Sequence, residues 1–571
     1  MSPNDRPKAR QSQLVTTYGV GSLFPAGDQS LMICGIDEWD ERFSPEVEEP
    51  RLARSLGVRT FRSPSSGRKI GDVPVVRFPE YHYCPGCRRL DPFWRFDATK
   101  MKCQDCDRDI TPSRFVACCE DGHIEDFPYF NWVHRDAAGP RGGTHQLKLT
   151  SRGASSSLAD IVISCSCGVR PYDLDGSFGY SALRQIKSCG GNRPWLPGSP
   201  PEQCTKPLRV LQRGSSNVWF SAVRSAISIP PWSSPDARFV NRFWTVLKEF
   251  PDASLELALP AFAASEPGVS IAGVAELIRR RRGSEEAEPP TELDLRNDEY
   301  YALRDGSVMH NSDTFTCREV DVSPRLSGFV AQVSAVDRLR EVRALHGFTR
   351  VTASATATAT PRIAKLSARA LDWLPATEVL GEGVFIRLDE QLVQRWESSV
   401  FAVSRRSVLS NSLALRARES GVDTVEAPST RFLTLHTFAH AVLKELSLEA
   451  GYPTGALRER VYAEEGQTGV LIYTASSDAA GSLGGLAALS SAELLARAVE
   501  GALSRATWCS NDPVCSESVP SGSDGLNLAA CHACMLLPET SCESKNIFLD
   551  RALLVGGAES EGGLAGGNRS Q

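Results

Sequence analysis

The sequence predicts a mixed α/β (α+β), multidomain fold, with zinc-ribbon-like modules in the N-terminal half and an α/β C-terminal domain carrying a further metal site. Three observations predict it. The chain has 571 residues, more than one hydrophobic core supports. It has 17 cysteines, most of them in short-spaced pairs that suit chelation better than a disulfide framework. Short, glycine-punctuated β segments open the chain, and long helical periodicities close it.

In chain order, Tyr18–Leu23 and Leu31–Ile36 read as β segments, and Arg59 to Gly71 reads as an exposed basic loop. Cys84 to Cys204 is cysteine-rich with little helical periodicity. An apolar run, Val218–Ile229, precedes helical patterns over Arg238–Glu249 and Ile271–Arg282. The acidic stretch Gly283–Pro290 reads as a linker. Val333–Leu345 reads as a helix with a mixed charged face, and Thr352–Pro361 as a low-complexity loop or edge strand. Arg431–Ala450 is the clearest amphipathic helix, with Phe432, Leu435, Ala439, Val442 and Leu446 on one face. Gly469–Thr474 reads as a buried strand and Ser490–Ala506 as a second helix. The expected divisions are a β-rich segment (1–82), a cysteine-rich region (83–215), a linker and helical region (216–330), a C-terminal domain (331–556) and a disordered tail (557–571). No internal repeat is present.

The N-terminus lacks an apolar signal core, and no apolar run spans a bilayer, so the expected setting is cytoplasmic with no membrane partner. The net charge is −6, so nucleic-acid binding would have to come from local patches. Arg59, Arg62, Arg68 and Lys69 form the candidate patch. Arg279 to Arg282 is discounted because Glu285, Glu286 and Glu288 follow closely.

Cys84-Pro-Gly-Cys87 and Cys103-Gln-Asp-Cys106 are two CxxC knuckles separated by fifteen residues. They can point four thiolates at one tetrahedral zinc, and the βαβ context of a redox CxxC is missing. A second site is expected from Cys165, Cys167, Cys189 and Cys204, against the alternative of buried cysteines packing as small hydrophobes. A third is expected from Cys509, Cys515, Cys531 and Cys534, with Cys542 left over and His532 as an alternative ligand. These sites imply two or three zinc ions. In the block CCEDGHIEDFP, Cys118, Cys119, His123 and Asp126 form a further constellation, in which Cys119 and His123 could bind metal or complete a neighbouring site, against the alternative of a turn at Gly122 with His123 held by a carboxylate. His436 and His440 stand at i, i+4, but Thr437 occupies the place of the HExxH glutamate, so packed, hydrogen-bonded histidines fit better. Gly481–Gly485 is a glycine turn without a phosphate-contacting lysine.

No GxxxxGK[ST] loop or HxK pair is present. Glu543-Ser544-Lys545 resembles half of a nuclease motif without a strand to carry it. No nucleophile, base and oxyanion site can be assembled, so no catalytic residue is expected. The alternatives are a metal-dependent nuclease using His436, His440 or the His123–Asp126 region, and a purely structural scaffold.

The opening RQSQLVTTYGVGSLFPAGDQSLMICGIDEW, the blocks FVACCEDGHIEDFP, RGSSNVWFSAVRSAISIPP, VDRLREVRALHGFTRV and LHTFAHAVLKELSLEAGY, and the closing CHACMLLPETSCESKNIFLDRALL resemble the DrmB family of DISARM anti-phage systems. The blocks run from Arg10 to Val555. The C-terminal third also resembles a cysteine-containing domain appended to some repair helicases. The resemblance implies an accessory subunit partnered with a DrmA-like superfamily-2 helicase, engaging DNA, including single-stranded DNA, while the helicase hydrolyses ATP. It supplies no catalytic residue.

Overall fold

In the computed structural model, the described residues are 7–65, 72–136, 145–153, 157–232, 235–263, 269–285, 288–306, 314–352, 362–420, 426–474, 485–517, 525–557 and 562–566. The chain forms two compact units, each gathered from non-contiguous stretches. The first comprises Met1–Glu48, Thr60–Arg224 and Arg343–Thr377; the second comprises Glu49–Arg59, Ser225–Val342 and Glu378–Gln571.

The first unit is built from short strands. Leu23–Ala26 and Gln29–Ile33 form a hairpin whose register pairs Ala26 with Gln29, and Val75–Arg77 adds a third antiparallel strand. The expected β segment at Tyr18–Leu23 is a run of turns leading into that hairpin, while the one at Leu31–Ile36 overlaps the strand Gln29–Ile33. Ile124–Asp126, Phe115–Cys118 and Arg209–Gln212 form a second antiparallel sheet. Six strands from Tyr81–Tyr83 to Tyr172–Asp173 form a third. Val116, Trp195, Leu345 and Phe348 belong to one buried core, and Phe127, Trp132, Ile163 and Leu208 to another.

One buried cation ties this unit together. Arg350 is 1% exposed, and its guanidinium donates to the carbonyls of Gly122 at 2.8 Å, Val218 at 2.6 Å and Gly21 at 2.7 Å. It also lies 5.3 Å from the Trp195 ring centroid and 4.8 Å from that of Phe348. Burial pulls its pKa down to about 10, so it stays charged at neutral pH and each carbonyl receives a charge-assisted hydrogen bond.

In the second unit, the strand Leu457–Tyr462 pairs antiparallel with Gly469–Thr474, which pairs with Gly383–Arg387. Over this sheet lie the helices Thr430–Ala450 and Ala492–Ala506, sharing a core that includes Val384, Ile386, Val442, Leu446, Ile472 and Val499. The helix Thr430–Ala450 begins where Ser429 Oγ accepts from the Phe432 N–H at 3.1 Å, and ends at Gly451 with φ 69°, the usual polar N-cap and left-handed C-cap. Pro235–Leu247, Asp252–Ala263 and Ile271–Glu285 form a helical trio around Phe239, Leu255 and Ile278.

Further expectations change. Val333–Leu345 is not a helix but the middle of the strand Val330–Thr349, most of whose residues are buried. Its charged residues do not form one solvated face: Arg338 is exposed, but Glu341 is fully buried, 3.8 Å from Arg460, and Arg460 lies 3.1 Å from the equally buried Glu299. The helix Thr430–Ala450 is buried on nearly every side rather than amphipathic, and its His436, Thr437 and His440 face inward. Near the C-terminus, Leu564 is buried in the main core and the Gly562 carbonyl accepts from Trp396 Nε1 at 2.9 Å. Most of Thr352–Pro361 and the glycine turn 481–484 lie outside the described residues.

Replacing Arg350 orphans three buried carbonyls, so Arg350→Met should cost about 3 kcal/mol or more. The exposed Arg369→Met should stay within about 0.5 kcal/mol. Urea unfolding of the two variants measures the difference, and equal midpoints would remove Arg350 from its pinning role.

Candidate metal centres

All but Cys34, Cys118 and Cys317 of the 17 cysteines fall in clusters of metal-ligating atoms, with five of the nine histidines. Three clusters lie in the first unit and two in the second.

Cys84, Cys87, Cys103 and Cys106 converge as the CxxC spacing requires. The sulfurs of Cys84 and Cys106 are 3.3 Å apart, and those of Cys87 and Cys103 3.5 Å, near the roughly 3.8 Å edge of a tetrahedron with 2.3 Å zinc–sulfur bonds. The two knuckles repeat one turn. The N–H of Arg88 donates to the Cys84 carbonyl and that of Asp107 to the Cys103 carbonyl, and Arg88 and Asp107 have φ of 67° and 53°. A Cβ at Gly86 would stand 2.9 Å from Cys106 Sγ, so the close approach requires glycine. Burial opposes ionisation of Cys84, yet the N–H groups of Cys87 and Gly86 and the Cys106 thiol outweigh it and bring its pKa to about 7.

The expected site of Cys165, Cys167, Cys189 and Cys204 does not form as one cluster. The structure divides it in two and completes each half with residues outside that expectation. Cys189 and Cys204 join Cys119 and His123: His123 Nδ1 lies 3.3 Å from Cys119 Sγ and 3.7 Å from Cys189 Sγ, and the sulfurs of Cys119 and Cys204 are 3.8 Å apart. His123 Nε2 faces Glu202 Oε2 at 3.3 Å, and Glu202 is held by Arg193 at 2.7 Å and Arg362 at 2.6 Å. Such a carboxylate fixes the orientation of a ligating imidazole. The Cys119 thiol, opposed by burial and aided by His123 and the Gly191 N–H, brings Cys189 down to about 4. Gly191, with φ 67°, sits so close to the Glu202 backbone that no side chain fits.

Cys165 and Cys167 join His134 and His145. His134 Nε2 lies 3.3 Å from Cys167 Sγ, and His145 Nδ1 lies 3.2 Å from Cys165 Sγ. The Phe130 carbonyl, 2.7 Å from His134 Nδ1, holds the ring so that Nε2 faces the cluster. The separation of the two pairs follows from the sheets. Cys165 ends the strand Ile161–Cys165, whereas Cys119 and His123 flank the turn joining Phe115–Cys118 to Ile124–Asp126. Asp126 joins no cluster: it accepts the N–H groups of Glu80 and Tyr81, and burial pushes its pKa up to about 7.

In the second unit, Cys509, Cys515, Cys531 and Cys534 converge, with sulfurs 3.5 Å apart for Cys509 and Cys531 and 3.7 Å for Cys515 and Cys534. His532 is exposed and outside the cluster. Cys542 is not a leftover residue but faces His436, His440 and Glu459 in a fully buried group. Histidines that read as packing residues in the sequence thus share one centre with a cysteine that reads as spare. The signal for this is weak: few histidines in the chain, two of them one turn apart beside a surplus thiol. By contrast, burial raises Cys34 to about 11 and Cys118 and Cys317 to about 12, leaving them as small hydrophobes.

The remaining sequence candidates lie elsewhere. Glu543 is ion-paired with Arg296 at 2.8 Å, so the ExK-like triplet carries a structural contact. Arg59 is exposed. Arg62 is not in a loop: it ends the strand Thr60–Arg62, 3.4 Å from Glu41 and 6.0 Å from the Trp373 ring centroid. Arg68 and Lys69 lie outside the described residues.

Four cysteine-containing clusters therefore replace the two or three expected, besides the centre that contains Cys542. Elemental analysis of chain purified without added metal should find at least four zinc ions per chain; fewer than one, or an iron–sulfur chromophore, would overturn the assignment. Cys103→Ser should release one zinc and lower Tm by about 5 °C or more, because metal binding and local folding are coupled.

Two family models match this chain. Residues 10–220 match a domain of unknown function (DUF8724), the stretch that contains the three clusters of the first unit. Residues 438–535 match the MrfA Zn-binding domain, and the cluster of Cys509, Cys515, Cys531 and Cys534 lies within them. The chain is 33% identical over 550 residues to the DISARM protein DrmB of Bacillus paralicheniformis, covering 92% of this chain and 97% of that protein. With that identity over nearly the full length of both chains, this zinc-cluster protein belongs to the DrmB family.

Proposed function

We propose that this chain is a non-catalytic, zinc-binding accessory subunit of a DISARM anti-phage system. In this reading it works in the cytoplasm with a DrmA-like superfamily-2 helicase and binds DNA, including single-stranded DNA. The observation that carries the reading is closure: each cysteine-containing cluster offers four protein donors. A four-coordinate zinc with four protein ligands has no place for the water that an open zinc site activates. Family membership supports the defence role, since the relative it matches is a DISARM protein. Among the described residues no helix is long and apolar enough to cross a membrane.

Phosphoryl transfer needs a phosphate cradle and a positioned metal, and the motor would be the helicase. The DNA path would use Arg59, Arg68 and Lys69, with a smaller share from Arg62, whose guanidinium already faces Glu41. With a net charge of −6, the partner would supply the rest of a positive groove.

The reading predicts no ATPase or nuclease turnover by this chain alone, and a changed DNA-dependent ATPase rate when it is added to the helicase across a DNA titration. Equal rates and equal DNA affinity with and without it would defeat the proposal. Metal-dependent cleavage by the isolated chain, lost in His436→Ala, would favour a nuclease instead.

A second prediction concerns the DNA path. The quadruple alanine variant of Arg59, Arg62, Arg68 and Lys69 should weaken binding across sequences. It should also flatten the dependence of log affinity on log salt by about 0.9 per lost contact on duplex and about 0.7 on single strands. An unchanged slope would place the DNA path elsewhere.

A further inference from the structure

His436 and His440 project from one face of the helix Thr430–Ala450, Glu459 comes from the strand Leu457–Tyr462, and Cys542 follows the short turn Glu539–Ser541. All four side chains are buried, and their facing ligand atoms lie within 4.8 Å of one another. Glu459 Oε1 stands 3.0 Å from His436 Nε2 and 3.4 Å from His440 Nε2, and Cys542 Sγ stands 3.2 Å from His436 Nε2.

Hydrogen bonding alone leaves this group unsatisfied. His440 Nδ1 lies 2.9 Å from the Met535 carbonyl. A carbonyl only accepts, so a proton sits on Nδ1; in the neutral ring Nε2 then turns a lone pair toward the carboxylate, and a doubly protonated ring would leave its Nε2–H without a partner. Neither His440 Nε2 nor Glu459 Oε2 has a hydrogen-bond partner among the described residues. Nor does a protonated His436 resolve the arrangement, because its buried Nδ1 has no partner there either, and an imidazolium must donate from both nitrogens. Leaving such groups unpaired costs about 1–3 kcal/mol each, more where charge is involved.

We infer that His436, His440, Glu459 and Cys542 bind a structural zinc ion, separate from the four-cysteine site of the same unit. The donor set fits zinc: two imidazoles, one carboxylate and one thiolate make a closed tetrahedron with ligand–ligand edges of about 3.3–3.7 Å. A two-histidine, one-carboxylate iron site keeps open positions, and here the thiolate fills the fourth place inside a buried centre. The surroundings match a ligand shell. The Met535 carbonyl orients His440, as outer-shell acceptors do in zinc sites. The Asn546 N–H donates to Cys542 Sγ at 3.2 Å, as knuckle amides do to zinc-bound thiolates. Asn546 is itself fixed by paired hydrogen bonds with the Leu537 backbone, at 2.8 and 2.7 Å.

The matched Zn-binding domain, residues 438–535, includes neither His436 nor Cys542. The centre joins the helix, the sheet and the segment that follows the four-cysteine site. Met535 adjoins Cys534, and the carbonyl of Cys534 accepts from Lys444 Nζ at 2.6 Å, so both sites brace one helix. The inference stands apart from any DNA or helicase role.

Anomalous diffraction at the zinc edge from crystals of the unaltered full chain tests it directly. A peak bonded to His436 Nε2, His440 Nε2, Glu459 Oε1 and Cys542 Sγ, in addition to those at the other clusters, is the expected result. Peaks at the other clusters with none here would overturn it. Native mass spectrometry of Glu459→Gln and Cys542→Ala gives a second measurement, in which each variant should carry one zinc fewer than the unaltered chain. An unchanged count in both would also overturn it. If a variant unfolds and loses every ion, the diffraction result on the unaltered chain decides.

Discussion

Ionised thiolates do not gather at one point without a cation among them, and much of this architecture depends on that constraint. Two thiolates about 4 Å apart repel by about 4 kcal/mol at an effective dielectric of 20. A four-thiolate cluster therefore cannot ionise unless a metal repays several such terms, and structural zinc supplies about 10–16 kcal/mol in small domains. The first unit needs this support. Several of its strands are two or three residues long, among them Thr111–Pro112, Tyr172–Asp173 and Tyr81–Tyr83, too short to hold a sheet by pairing alone. Cys84 directly follows the strand Tyr81–Tyr83 and Cys165 ends the strand Ile161–Cys165, so an ion at either cluster would fix a strand end.

Where no cluster stands, buried charge does related work. Arg350 collects three carbonyls in the first unit, and in the second Arg460 meets Glu299 while Glu299 also accepts the Ile227 N–H at 2.8 Å. A buried pair is weak evidence of net stability, yet removing one member leaves an uncompensated charge. Such a buried charge therefore demands a compensating partner wherever the chain packs it. The same demand acts on His436, His440, Glu459 and Cys542, where the missing partner is a cation.

How far the sequence could be read follows from the distance over which each feature is encoded. The knuckles Cys84/Cys87 and Cys103/Cys106 are local turns with glycine and chelating spacing, so spacing alone brings them together. The helix Thr430–Ala450 and the strand Gly469–Thr474 were legible for the same reason. The separation of Cys165/Cys167 from Cys189/Cys204 was not legible, because it follows from two different sheets that direct each pair to its own histidines. The strand Val330–Thr349 misleads in another way. Its alternating charges imitate the solvated face of a helix, but Glu341 is buried opposite Arg460. His436 and His440 mislead differently, because they read as packed, hydrogen-bonded side chains while sharing a centre with Glu459 and Cys542. In each case a one-dimensional pattern does not name the buried partner that a side chain meets.

That ambiguity bears on function, because a histidine pair on a helix suggests chemistry until its other ligands are known. The decisive property is the number of protein donors. With three, a metal keeps a place for water and can act on a substrate. With four, as in every cluster described here, it fixes geometry. Cys542 makes the distinction concrete: without it, His436, His440 and Glu459 would have the donor set of an open catalytic site. With its sulfur 3.2 Å from His436 Nε2, the fourth position is filled and the same residues brace the helix Thr430–Ala450. Closed centres of this kind, as found among the described residues, hold surfaces rigid, which suits the accessory subunit proposed above.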